Sequence, residues 1–203
     1  MPLITGPTIE RFSLENRNQY CIYPYNMNEK QSVSINELLN LSPKLAKYLL
    51  NQKSVIEKQS ERSKFIAKGE NFYSLSKIGQ YTYAPFKVVF RDNSKWRAAL
   101  ANPVTTLWGE TKMSIPAKHA PYISQDKNGR DITEDESFYI CGILNTPVIE
   151  EYMINTYSKR SFSINLNIKL PLYDSTNPNH SAIVKMVKKY THLKSKSKKH
   201  YLF

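Results

Sequence analysis

Between residues 73 and 97, basic and aromatic side chains interleave: Tyr73, Lys77, Tyr81, Tyr83, Phe86, Lys87, Arg91, Lys95, Trp96 and Arg97. Lys and Arg neutralise phosphates, and an Arg fork matches the edge of guanine. Tyr hydroxyls bond phosphate, and aromatic rings stack on exposed bases. Side chains alternate across a strand, so Phe86, Val88 and Phe90 share one face while Lys87, Val89 and Arg91 share the other. The apolar face is assigned to the core. Lys87 and Arg91 are assigned to a polyanion, supported by Lys77, Tyr81, Tyr83, Lys95 and Arg97. The competing reading is a strand with an ordinary solvated basic face. Asp92-Asn93-Ser94 reads as a turn that brings Lys95 and Arg97 back to the same edge.

The whole chain has the same bias. Twenty-nine Lys and Arg face seventeen Asp and Glu among 203 residues, a net charge of +12. Such an excess favours a polyanionic partner, because cations beside phosphates release condensed counterions. Other chemistry finds little support. Six glycines are too few and too scattered for a phosphate-cradling loop. Cys21 and Cys141 sit in separate apolar runs and read as buried free thiols. His119, His180, His192 and His200 are isolated and lack zinc-ligand spacing. Glu134, Asp135 and Glu136 suit the first turn of a helix, where negative charge meets the dipole. Glu150 and Glu151 read as a solvated helix face. No apolar run is of membrane-spanning length, and the first residues lack a signal-peptide core, so the expectation is a cytoplasmic protein without membrane contact.

These residues need a scaffold. Strands are expected at Ile9 to Leu14, Gln19 to Tyr23, Asn71 to Ser74, Tyr81 to Arg91, Lys112 to Pro116, Ala120 to Gln125 and Ser163 to Leu170. Asn128-Gly129 marks a hairpin turn. Ser34 with Glu37, and Thr133 with Glu136, fit capping boxes. Pro43 opens a helix expected to reach about Arg62, with Leu45, Tyr48, Leu49, Gln52 and Ile56 as its buried stripe. Pro147 restarts another helix. A last helix follows Asn177-Pro178 and docks through Ile183, Val184, Val187 and Tyr190. The expected class is α+β: a mixed, mainly antiparallel sheet flanked by helices, forming a single domain over residues 1–193 before a basic, disordered tail at 194–203.

Four ordered segments carry a resemblance. They are Cys21-Ile22-Tyr23-Pro24-Tyr25 with the helix Ser42 to Leu49; Asn71-Phe72-Tyr73-Ser74-Leu75; Gly79 to Arg91; and Tyr139 to Ile149 with Ile168-Lys169-Leu170-Pro171. In this order, over roughly residues 15–192, the chain resembles the carboxy-terminal target recognition domains of adenine-specific DNA methyltransferases from restriction–modification systems, including the fused restriction-methylation enzymes. The resemblance implies a domain that reads double-stranded DNA and presents it to a separate methyltransferase catalytic domain or subunit. The chain departs from the whole enzyme because the Asn/Asp-Pro-Pro-Tyr catalytic loop and the Gly-rich cofactor loop are absent. Tyr23-Pro24-Tyr25 has one proline and no preceding Asn or Asp. No catalytic, metal or cofactor residue is therefore assigned here, and S-adenosylmethionine would belong to the partner. Alternatives are a small metal-dependent type II restriction endonuclease, a single-recognition-domain relative of type I specificity subunits, and a basic RNA-binding protein.

Overall fold

Val88-Val89-Phe90, three residues of high β propensity, forms the middle strand of a three-stranded sheet in the computed structural model. The structure describes residues 1–15, 17–26, 29–59, 69–117, 119–158, 161–162 and 168–199. In chain order, the strands are β1 (Leu3–Ile4), β2 (Ile9–Glu10), β3 (Ser13–Leu14), β4 (Val88–Phe90), β5 (Ala98–Leu100), β6 (Val104–Thr105), β7 (Thr111–Lys112), β8 (Ile115–Pro116) and β9 (Tyr122–Ile123). The α-helices are α1 (Ile35–Leu41), α2 (Pro43–Asn51), α3 (Lys53–Glu57), α4 (Glu134–Leu144), α5 (Pro147–Thr156) and α6 (Pro178–Lys199). The class is α+β.

Contacts divide the chain into two compact units, Met1–Cys21 with Ala84–Phe203, and Ile22–Tyr83. In the first unit β4 lies between β5 and β9, antiparallel to both, with Val89 opposite Ala99 and Val88 opposite Ile123. β2 pairs with β3 and β6 with β7, both antiparallel, whereas β1 and β8 run parallel. The main core joins Val88, Phe90, Trp96, Ala98 and Leu100 to Cys141, Leu144, Met153 and Phe162. A second core covers the opposite face: Val89, Ala99 and Ala101 pack with Ile4, Ile9 and Ala120. The central sheet is thus buried on both sides, which removes the solvated face expected for Lys87 and Val89.

Local signals place the helices of this unit. Thr133 accepts from Glu136 N at 3.2 Å while Glu136 Oε2 accepts from Thr133 N at 2.7 Å, closing the capping box of α4. Thr146 caps α5 ahead of Pro147. α6 packs where Gly142 leaves no side chain, since a Cβ there would meet Ile183 Cγ2 at 2.8 Å and Val187 Cγ2 at 3.0 Å. Val184 and Val187 are buried, and the Tyr190 ring stands edge-on to Phe12 at 5.1 Å, although Tyr190 is otherwise exposed. The Asn-Gly turn closes through Asp126 N to Arg130 O at 2.9 Å, with Gly129 at φ +80°.

In the second unit, Val33, Leu38, Ala46, Leu49 and Tyr73 form the core. Ser34 caps α1 by accepting from Glu37 N at 3.2 Å. Asn71 to Ser74 is a turn and not the expected strand: Ser74 N bonds Asn71 O, and Asn71 Nδ2 donates to Ser32 Oγ at 3.0 Å. The strand expected from Tyr81 is shortened to β4, because Gln80–Tyr83 forms a 3₁₀ turn and Pro85 has no N–H to give a ladder. In place of the strand expected from Gln19 to Tyr23, Tyr20 forms an isolated bridge with Pro2, flanked by Leu3 N to Gln19 O at 2.9 Å and Cys21 N to Met1 O at 2.8 Å. The helix from Pro43 pauses at Gln52, between α2 and α3, and its expected end near Arg62 lies outside the described residues. Residues 163–167 of the expected strand Ser163 to Leu170 also lie outside them, and 168–170 are irregular.

Candidate nucleic-acid interface

The seven residues expected to meet DNA divide between the units: Lys77, Tyr81 and Tyr83 in the second, and Lys87, Arg91, Lys95 and Arg97 in the first. Their environments differ sharply. Lys95 follows the predicted turn and is exposed, its N–H bonding Asn93 O at 2.7 Å. Lys77 is exposed with φ +60°, and Tyr81, also exposed, donates its hydroxyl to Lys77 O at 2.8 Å. Tyr83 is half-buried, with its hydroxyl 2.7 Å from Glu29 O, so it fixes the loop before α1.

Lys87 overturns its expected role. It is only 1% exposed, and Nζ donates to Ala84 O at 2.6 Å. Burial lowers its pKa to about 8, against the opposing pull of Asp131. It lies on the same face as Val89, which the second core claims, so its ammonium is not presented to a ligand. Arg91 is half-buried and donates from Nε to Asn93 O at 3.0 Å. Arg97 is engaged twice, by Trp96 O at 2.7 Å and by the Glu150 carboxylate.

Glu150 binds a second guanidinium, that of Arg11, through its other oxygen. Burial pushes its carboxyl pKa upward, but Arg97 and Arg11 outweigh this and hold it below the ordinary range. Arg130 clamps Glu136 at 2.7 Å and Asp126 at 3.1 Å. The hydrogen bonds from Arg130 carry the Glu136 carboxyl down to about 2. Arg17 pairs with Glu15 at 3.0 Å. Every arginine among the described residues is thus hydrogen-bonded within the chain. The sequence alone assigns Arg97 to DNA because its partner Glu150 lies 53 residues away, and such pairing leaves no local signal.

Lysines carry most of the outward charge instead. Lys44, Lys47, Lys77, Lys95, Lys127 and Lys185 are exposed. The spacing from Pro43 predicts Tyr48 in the buried stripe of α2. The structure exposes Tyr48 to 53% and buries Ala46 in its place. Two histidines act structurally: His119 Nδ1 lies 2.9 Å from Asp92 Oδ1, and His180 Nδ1 accepts from Asp174 N at 3.0 Å. Among the described residues, no three His, Cys, Asp or Glu side chains are grouped to hold a metal ion, and no helix is long and apolar enough to cross a membrane. The chain matches no protein-family model, and no curated protein matches it.

Proposed function

We propose that the chain binds duplex DNA sequence-specifically, as the target recognition module of an adenine-specific restriction–modification methyltransferase whose catalytic part is a separate domain or subunit. The observation that carries the reading is the distribution of the +12 charge. Four carboxylates are drawn into internal pairs, Glu150 with two arginines, Asp126 and Glu136 with one, and Asp135 with Lys188 at 2.7 Å. Exposed lysines are left to shape the external field, and such a field attracts phosphate. The resemblance of the four ordered segments supplies the finer part, the restriction–modification context. Methyl transfer and S-adenosylmethionine belong to the partner in this reading.

Selection from a randomised duplex pool tests it. The expected result is enrichment of one short motif, with structured RNA competing poorly. Failure to retain any duplex at low salt, or preference for RNA, overturns the proposal.

A further inference from the structure

We propose that the outer face of α2 enters the major groove of duplex DNA, with Tyr48 and Asn51 against base edges and Lys44 and Lys47 on flanking phosphates. This rests on the duplex-DNA reading above and adds the element that does the reading.

Four observations support it. Positions 44, 47, 48 and 51 recur at spacings of three and four, so they form one stripe on a helix. All four are exposed, while Ala46 and Leu49 on the opposite side are buried and fix the helix on its core. No acidic residue occurs from Pro43 to Asn51. Neither lysine is ion-paired among the described residues, whereas the neighbouring Glu57 is matched to Lys53. On charge, the face complements a polyanion.

The dimensions and residue types narrow the partner to a duplex groove. An α-helix with its side chains is roughly 10–12 Å across, which the roughly 12 Å width of the major groove admits. An Asn amide offers both the donor and the acceptor that adenine presents there through N7 and N6. A Tyr ring can rest on a thymine methyl group, and lysines bind phosphate as point charges. Each described arginine already makes at least one hydrogen bond within the chain. An exposed amide beside two lysines is the best-equipped reader left.

The test uses the full chain and the duplex motif recovered by selection, beside a scrambled duplex. Lys44→Ala/Lys47→Ala should weaken both duplexes alike and make the salt slope shallower by about two, one per phosphate contact. Asn51→Ala should lose roughly 5- to 150-fold on the motif and little on the scrambled duplex, the loss centring on one A·T pair. Asn51→Asp keeps the side-chain shape while removing the donor, and should lose at least as much. Melting temperatures near the parent value, expected for an exposed face, establish that folding is intact. If the parent binds the motif and all three folded variants bind it equally well, α2 is not the reading helix, although the duplex reading survives. Lysine-pair loss with no effect at Asn51 also overturns base reading by this helix. If the parent binds no duplex, the wider reading fails and this inference falls with it.

Discussion

An ammonium inside a protein must replace its water shell with hydrogen-bond acceptors, and the Lys87 Nζ has Ala84 O at 2.6 Å. Its pKa of about 8 reflects that incomplete exchange, burial outweighing the attraction of Asp131. Well below pH 8 the group is charged in both folded and unfolded chains, and the burial penalty is present in full. Between about pH 8 and the ordinary lysine value of 10.5, the folded chain has released the proton while the unfolded chain still holds it. Unfolding then takes up a proton, so this residue makes stability rise with pH across that window. Cys141 works in the opposite sense. Burial pushes its thiol up to about 12, so its proton is lost on unfolding above the ordinary thiol value. The difference between parent and Lys87→Met isolates the lysine. The variant should be more stable by roughly 1–2 kcal/mol at pH 7, and its advantage should shrink toward pH 10. Urea midpoints at the two pH values give the answer, and an advantage that stays constant or grows contradicts the assignment. Duplex affinity at pH 7 should be unchanged, since the group is inside.

At the scale of elements, Asn145 joins a helix end to a strand. Its Nδ2 donates to Ala98 O at 2.8 Å and to Cys141 O at 2.9 Å, and its Oδ1 accepts from Ala98 N at 3.1 Å. The C-terminus of α4 is thereby tied to β5, and Trp96 Nε1 adds a bond to Leu144 O at 2.7 Å. Asn145→Ala leaves Ala98 N–H buried without this acceptor and should cost about 2–3 kcal/mol. A change below about 0.5 kcal/mol in denaturant unfolding would show that the tie is dispensable. The sequence foreshadowed the helix break at Asn145-Thr146-Pro147, because capping and proline act within a few residues. It also revealed the Thr133 capping box and the Asn128-Gly129 turn for the same reason. The bond from Asn145 to β5 spans 47 residues and has no local signature. Alternation misassigned Lys87 because it assumes one wet face, whereas a strand between two partners can be covered on both. On α2 the spacing also places Tyr48 inside, whereas Ala46 and Leu49 form the buried side and Tyr48 is exposed.

For the whole molecule, the decisive quantity is how charge is distributed after folding. Internal pairing engages every described arginine and some lysines, such as Lys188 with Asp135, and leaves other lysines, among them Lys44 and Lys47, facing water. A lysine surface binds phosphates as point charges, so most of the affinity should be electrostatic and strongly salt-dependent. The net charge of +12 is legible from the composition. Which cations remain available is not, because it depends on contacts such as Arg11 and Arg97 with Glu150. The most direct measurement is therefore the affinity of the full chain for a short duplex, titrated with salt from about 50 to 200 mM and followed by fluorescence anisotropy. With about four to six phosphate contacts, log affinity should fall against log salt with a slope of about −4 to −5. A slope near zero, or no duplex binding at the lowest salt, contradicts the account.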